Sequence, residues 1–117
     1  MDTTPATIEV LPEIVKMVRQ FEQSFTPQKK IEIWFDGGIR RGSDVLKALA
    51  IGADFVWIGR PVLWGLTNGG QKGVESVLKI LNEELKECML ECGCQSIDEI
   101  KKKTIIYKDN DLLFAKL

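Results

Sequence analysis

Two short apolar segments, each ending in glycine and each followed by a helix start, constrain the fold of this chain most. The first covers residues 31–36 and is followed by Gly37 and Gly38, and the second covers residues 53–58 and is followed by Gly59. Both segments are rich in β-branched and aromatic residues, which favour strands. Strands that alternate with helices usually pair in parallel through right-handed crossovers. The sequence therefore predicts an α/β fold.

Apolar residues at helical spacing predict three helical segments around these strands. They cover residues 7–23, 62–66 and 73–92. Apart from the short segment 62–66, they and two shorter helices marked by capping residues give the order helix, strand, helix, strand, helix, helix.

The capping residues belong to helices after the first strand and near residue 96. Ser43 is expected as the N-cap of a helix of about three turns, and Gly52 stands where a left-handed C-terminal residue is wanted. Ser96 and Glu99 are spaced as a capping box for a short helix.

The charge balance offers no general attraction for nucleic acid or anionic lipid. Sixteen Lys and Arg residues stand against seventeen Asp and Glu, so the net charge is -1 and an anion site must be local. No apolar run approaches the roughly 18 residues of a membrane span, and the N-terminus does not resemble a secretory signal. We expect neither nucleic acid nor a membrane as a partner.

The cysteines do not predict a metal site. Cys88, Cys92 and Cys94 lie close together, but the chain contains no histidine to complete a zinc site. An odd number of cysteines in and after a helical pattern favours reduced, structural thiols.

The two glycine turns predict a site for a phosphate monoester. Backbone N–H groups at a helix N-terminus attract anions, and glycine lets a ligand approach the backbone. Arg40 follows the first turn and Arg60 the second, so the pair could surround one phosphate. Either turn alone could be purely structural. Arg41 is left out because a charged residue entering a helix is usually solvated.

Longer stretches around these turns resemble a known family. The segment DGGIRRGSDVLKALAIGA (36–53) and the segment VWIGRPVLWGL (56–66) are similar to the FMN-dependent 2-hydroxy-acid oxidases and dehydrogenases, which include glycolate oxidase and the animal hydroxyacid oxidases. The resemblance continues through residues 69–75 and 91–97 and reaches back to residues 2–8. It spans nearly the whole chain.

The resemblance implies a (β/α)8 TIM barrel that holds FMN at the carboxyl ends of its strands. Residues 1–117 would be its C-terminal part, with the last two βα units and the C-terminal helices. Matching positions assign FMN binding to seven residues after strands seven and eight: Asp36, Gly37, Gly38, Ile39, Arg40, Gly59 and Arg60. Asp44, Lys47 and Trp64 also match family residues, but helix surface and packing account for them.

The resemblance also implies that the reaction needs residues outside this chain. In the family a histidine base and a substrate-binding arginine lie in a segment that reads His-Gly-x-Arg-Gln-Leu-Asp, and the match here begins at its final residue, Asp2. The complete enzyme would convert a small (S)-2-hydroxy acid and oxygen into a 2-oxo acid and hydrogen peroxide, and homo-oligomers are expected for it. No catalytic residue is assigned in this chain, which is expected to be inactive alone.

Two other interpretations stay open. One is a non-catalytic phosphate-binding or assembly module derived from a TIM barrel. The other is a different phosphate-binding barrel, such as an isomerase or another FMN enzyme, because paired glycine turns are shared among these folds. The segment GRPVLWGL (59–66) and the later Gly93-Cys94 argue against this second one.

The last three residues resemble a targeting signal. Ala115, Lys116 and Leu117 differ by one small residue from the Ser-Lys-Leu signal that the peroxisomal import receptor recognises. We expect a peroxisomal location, with a cytoplasmic one as the alternative.

Overall fold

The computed structural model of the chain describes residues 4–24 and 30–101. The elements within these ranges are, in chain order, α1 (Thr7–Gln23), β1 (Trp34–Asp36), α2 (Gly42–Ile51), β2 (Phe55–Trp57), α3 (Arg60–Glu91) and α4 (Ile97–Ile100). The two strands form a parallel sheet in which Trp34 pairs with Phe55 and Asp36 with Trp57. The predicted α/β order is therefore confirmed, and α1 has the predicted bounds.

Both strands are shorter than predicted. Residues 31–36 were expected to form the first strand, but its ladder begins only at Trp34. Before Trp34, two backbone N–H groups donate to side chains and not to a neighbouring strand. Ile31 N–H donates to the Glu22 carboxylate, and Ile33 N–H donates to Asp54 Oδ2 at 3.0 Å. The second strand likewise covers only Phe55–Trp57 of the predicted residues 53–58.

The N-cap predicted for α2 is wrong. Arg41 occupies the cap position, and Ser43 lies inside the first turn. Asp44 does the capping instead, because its Oδ2 atom accepts hydrogen bonds from Arg40 N–H and Arg41 N–H, each at 3.0 Å. At the other end of the helix Gly52 has φ +128°, as a glycine C-cap requires.

The helices predicted over residues 62–66 and 73–92 are two parts of one element, α3. They are separated by a break at Gly69 and Gly70, whose backbones are not helical. The parts pack against each other so closely that a Cβ on Gly73 would lie 1.9 Å from the Gly65 carbonyl oxygen. Glycine is needed at this contact because no side chain fits there.

The final helix, α4, confirms Ser96 as its N-cap, but the reciprocal bond of a capping box, from Ser96 N–H to the Glu99 carboxylate, goes to the neighbouring Gln95 N–H instead. Ser96 Oγ accepts a hydrogen bond from Glu99 N–H at 3.3 Å, and Glu99 Oε2 accepts one from Gln95 N–H at 2.8 Å.

The core covers one face of the sheet. Its larger cluster lies between the sheet, α1 and α2 and contains Leu11, Ile33, Phe35, Ile39, Ala48 and Ala53. A smaller cluster joins α2 to the C-terminal segment through Leu49, Cys94 and Ile100. The opposite face of the sheet carries Trp34, Phe55 and Trp57, all more than half exposed. Parallel sheets are normally covered on both faces, so the described residues supply one of the two layers.

A buried carboxylate ties the starts of the two strands to the carboxyl-terminal parts of α1 and α4. The side chain of Asp54 is only 7% exposed, and it accepts contacts from Arg19 Nη2 at 3.2 Å, Lys30 Nζ at 2.7 Å and Lys101 Nζ at 2.8 Å. The Ile33 N–H group donates to it as well. We refer to Arg19, Lys30, Asp54 and Lys101 as the Asp54 cluster. It connects α1, the segment before β1, the start of β2 and the end of α4.

Two further sequence predictions concern a membrane span and a targeting signal. No helix in residues 4–24 or 30–101 is long and apolar enough to cross a membrane. The candidate targeting signal at Ala115, Lys116 and Leu117 lies outside the described residues.

Candidate functional site

A single cavity brings the predicted site residues together. Its volume is about 210 Å³, and it is lined by all seven of them, Asp36, Gly37, Gly38, Ile39, Arg40, Gly59 and Arg60. They meet because Asp36 and Trp57 pair in the parallel ladder, so that the chain leaves both strands at the same edge of the sheet. The two turns predicted from the sequence thus line one cavity.

The glycines leave the backbone of this cavity accessible. Gly37 and Gly38 have φ values of +114° and +79°, which L side chains rarely adopt. A Cβ added to Gly38 or to Gly59 would meet no other atom within 4 Å. The space beside both residues is therefore open to a ligand.

The two helix starts differ in how many of their N–H groups are already taken by side chains. At α2, Asp44 accepts from Arg40 N–H and Arg41 N–H, and Glu84 Oε2 accepts from Gly42 N–H at 2.7 Å. These carboxylates take three N–H groups at the positive end of that helix, whereas the Ser43 N–H group donates to no described acceptor.

The start of α3 is different. Gly59 is its N-cap and receives no side-chain cap, and Pro61 in the first turn has no N–H group. Within the described ranges, the N–H groups of Gly59 and Arg60 donate to no protein acceptor. These groups also stand at the positive end of a helix, which favours an anion.

The charged side chains at the cavity suit an anion with neighbouring hydroxyl groups. Arg40 and Arg60 are exposed, and neither forms an ion pair with another described residue. Two guanidinium groups and the Asp36 carboxylate give the lining a local charge of +1. A guanidinium group donates to phosphate oxygens, whereas a carboxylate accepts from hydroxyl groups.

Three lining residues, Trp57, Pro61 and Trp64, were missed or discounted in the sequence. Trp57 could have been found from strand alternation, since its register partner Asp36 shares its face of the sheet. Trp64 follows Arg60 by one helical turn and so lies on the same side of α3.

A second cavity of about 370 Å³ lies on the other side of the first turn. Gly37, Gly38 and Ile39 line both cavities, and Asp44, Lys47 and the start of α1 complete this one. Thr7 Oγ1 donates to the Gly37 carbonyl at 3.4 Å. A Cβ on Gly37 would lie 2.5 Å from Thr7 Oγ1. The start of α1 therefore supports the turn from behind.

Known proteins of similar sequence are hydroxy-acid oxidases. The chain is 48% identical over 117 residues to 2-hydroxyacid oxidase 1 of Mus musculus and equally to that of Homo sapiens, and it spans 29% of the length of each. It is 48% identical over 105 residues to an L-lactate oxidase of Lactobacillus jensenii, covering 90% of this chain and 24% of that protein. The chain is thus much shorter than these relatives.

Solved structures and a family model agree with this similarity. A lactate oxidase of Pediococcus acidilactici superposes with a TM-score of 0.78 at 44% identity, over 89% of this chain and 26% of that one. A mandelate oxidase variant with a monooxide FMN adduct gives a TM-score of 0.75 at 41% identity, over 87% of this chain and 30% of that one. The model of the FMN-dependent dehydrogenases matches residues 1–107. The chain belongs to the family of FMN-dependent dehydrogenases.

Proposed function

We propose that this chain is the FMN-binding part of an (S)-2-hydroxy-acid oxidase and that its two glycine turns hold the FMN phosphate. The observation that carries the proposal is the cavity shared by Arg40, Gly59 and Arg60. Two independent segments contribute cationic side chains or free N–H groups to the same small volume. This combination suits a phosphate dianion.

The roles of the lining residues follow from their donors and acceptors. Gly59 N–H, Arg60 N–H and the two guanidinium groups are donors for phosphate oxygens. Asp36 would repel the phosphate but can accept hydrogen bonds from the hydroxyl groups of the ribityl chain. Gly38 and Gly59 leave room for the ligand beside the backbone. FMN, when bound, supplies the two-electron acceptor for oxidation of an alcohol.

The complete enzyme in this proposal is a (β/α)8 barrel, in which β1 and β2 are the last two strands. Phosphate sites in such barrels are frequently formed by the loops after strands seven and eight. The names of the relatives, 2-hydroxyacid oxidase and L-lactate oxidase, support a small 2-hydroxy acid as substrate and oxygen as the second substrate. Formation of homo-oligomers by the complete enzyme stays a prediction.

Removal of either cavity arginine tests the phosphate assignment. We expect Arg40→Ala and Arg60→Ala each to weaken FMN binding roughly 10- to 100-fold, since each loses a charge-assisted hydrogen bond. Equilibrium dialysis or calorimetry with FMN measures the effect. Arg41→Ala is the matched control, because Arg41 is an adjacent exposed arginine that does not line the cavity. An equal loss in all three variants would indicate general electrostatic attraction and contradict a specific site.

The 117-residue chain should bind the flavin without reducing it. Oxidation of a 2-hydroxy acid needs a base within hydrogen-bond reach of the substrate, and the chain has no histidine to serve in that role. We expect no anaerobic bleaching of FMN when glycolate or a longer 2-hydroxy acid is added to the purified chain. Bleaching above the rate of free FMN would show that one of the carboxylates acts as the base.

A non-catalytic module is the second candidate function. The uncovered sheet face at Trp34, Phe55 and Trp57 favours it, because such a face can pair with another protein segment. A chain that binds inorganic phosphate as tightly as FMN would support this alternative over the oxidase fragment.

Peroxisomal localisation and recognition by the import receptor stay predictions. They depend on Ala115, Lys116 and Leu117 alone.

A further inference from the structure

A row of aromatic rings lies along the uncovered face of the sheet. The ring of Phe55 meets that of Trp34 edge-on at 5.7 Å between centroids, and Trp34 meets Trp57 at 5.5 Å with a tilt of 46°. Glu32 Oε2 accepts a hydrogen bond from Trp34 Nε1–H at 3.1 Å. These contacts limit the orientations that the Trp57 ring can adopt.

The row ends at the candidate phosphate cavity. Trp57 lines that cavity, whereas Trp34 and Phe55 do not. Trp57 is 54% exposed. Its indole N–H group donates to no acceptor among the described residues. On this face its register partner is Asp36, the only acidic residue of the cavity lining.

Two kinds of binding group therefore lie at different levels of the site. The arginines and the free N–H groups belong to the turns beyond the strand ends, whereas Trp57 and Asp36 belong to the last paired residues of the strands. When the turns bind three oxygens of a phosphate monoester, its fourth oxygen, the ester oxygen, can face the uncovered side of the sheet. An organic group that extends from the turns towards the uncovered sheet face would pass over the indole ring.

We infer that Trp57 contacts the organic part of the bound phosphate ester, so that the cavity selects an extended ester such as FMN over inorganic phosphate. This inference rests on the proposed function, since it concerns the same ligand in the same cavity. The indole ring supplies an apolar surface for carbon atoms, and its N–H group supplies one donor for a hydroxyl oxygen. Trp57 is a specificity residue in this arrangement and takes no part in the chemistry.

Binding of two probes to Trp57 variants tests the inference. We expect Trp57→Ala to weaken FMN binding roughly tenfold, because a buried aromatic contact is lost. Binding of inorganic phosphate should stay within about twofold of the unchanged chain. Trp57→Phe should recover most of the FMN affinity, since it keeps a ring. Trp34→Phe is the matched control, because Trp34 is in the same row but outside the cavity.

Fluorescence gives a second, independent measure of FMN binding by the chain. The chain has three tryptophans, so the double variant Trp34→Phe, Trp64→Phe retains Trp57 alone. We expect FMN to quench the Trp57 emission strongly through energy transfer. The dissociation constant from this titration should equal the one measured by calorimetry. Inorganic phosphate should displace FMN and restore the emission.

The outcomes separate this inference from the proposed function. If the unchanged chain binds FMN and Trp57→Ala binds it equally well, the inference is overturned and the proposed function stands. If Trp57→Ala loses FMN and inorganic phosphate by the same factor, Trp57 only supports the turns and the inference is again overturned. If the unchanged chain binds no FMN, both are contradicted.

Discussion

Replacement of Asp54 by alanine is expected to lower the free energy of unfolding by about 3 kcal/mol. The carboxylate is almost fully buried and satisfies three cationic side chains and one backbone N–H group. Its removal leaves Arg19, Lys30 and Lys101 facing one another without a counter-charge. The effect stays at the low end for a buried ion pair because these cations are partly exposed and can regain water. Urea denaturation followed by circular dichroism measures the change.

The matched control for this variant is Glu83→Gln. Glu83 pairs with Lys79 at 3.8 Å, and both side chains are more than half exposed. Exposed pairs contribute little, so we expect a loss below about 0.5 kcal/mol. Similar losses in the two variants would show that the Asp54 cluster contributes no more than an ordinary surface ion pair.

The Asp54 cluster also predicts how stability depends on pH. Burial by itself raises the pKa of the Asp54 carboxyl, but hydrogen bonds from Lys101, Lys30 and Ile33 N–H outweigh burial and hold the pKa well below its usual value of 3.8. A carboxyl whose pKa is lower in the folded state stabilises the protein fully above the unfolded pKa. The stabilisation is lost as the pH falls below 3.8 towards the folded pKa.

An Asp54→Asn variant isolates this contribution. Its stability should fall less steeply than that of the unchanged chain as the pH drops below 3.8. A residual slope should remain, because the Ile31 N–H group and Arg19 also lower the pKa of Glu22. The measurement is the urea midpoint at several pH values, and parallel curves for both proteins would contradict the assignment.

Local sequence patterns were sufficient for α1 and for the cap of α4, because the relevant interactions lie within a few residues. The helix α1 was predicted with its observed bounds, since Leu11, Val15 and Val18 repeat at helical spacing. The N-cap bond from Glu99 N–H to Ser96 Oγ is a contact over three residues. Such contacts can be recognised without knowing the tertiary structure.

The strand ends depend on contacts between distant residues and could not be predicted in the same way. The carboxylate that accepts from Ile31 N–H is 9 residues away in sequence, and the one that accepts from Ile33 N–H is 21 residues away. Both amides would otherwise have been available for a strand ladder. Nothing in the local pattern of residues 31–33 distinguishes the two cases.

The candidate site shows the same difference between local features and contacts between distant residues. The glycines and arginines of the turns were predicted because backbone geometry and charge are local properties. The contribution of Trp57 depends on the strand register, and the capping of α2 depends on Glu84 in the next helix. Sequence reasoning therefore identified the proposed phosphate donors and missed the residues that shape and support the cavity.

Replacement of Gly42 by alanine is expected to destabilise the chain by about 3 kcal/mol and to weaken FMN binding as well. A Cβ at this position would lie 2.2 Å from Leu85 N and 2.4 Å from the Glu84 carbonyl carbon. These are backbone atoms of α3, so the two helices must separate, and inserted methyl groups in tight packing cost about 1–3 kcal/mol or more. Separation also weakens the hydrogen bond from Gly42 N–H to Glu84.

The effect on FMN follows from the position of Gly42 in the chain. It is the first residue of α2, only two residues after Arg40, so movement of this helix displaces one wall of the phosphate cavity. Urea denaturation and FMN calorimetry on the same variant measure the two losses.

Ser43→Ala is the control, and it also tests the corrected helix start. Ser43 lies inside the first turn and its hydroxyl forms no hydrogen bond with another described residue, so loss of the hydroxyl should change stability by less than about 0.5 kcal/mol. Replacement of a true N-cap serine by alanine would lower stability by about 1 kcal/mol. A large loss for Ser43→Ala together with a small one for Gly42→Ala would reverse the structural assignment, because it would place the cap at Ser43 and remove the close contact between α2 and α3.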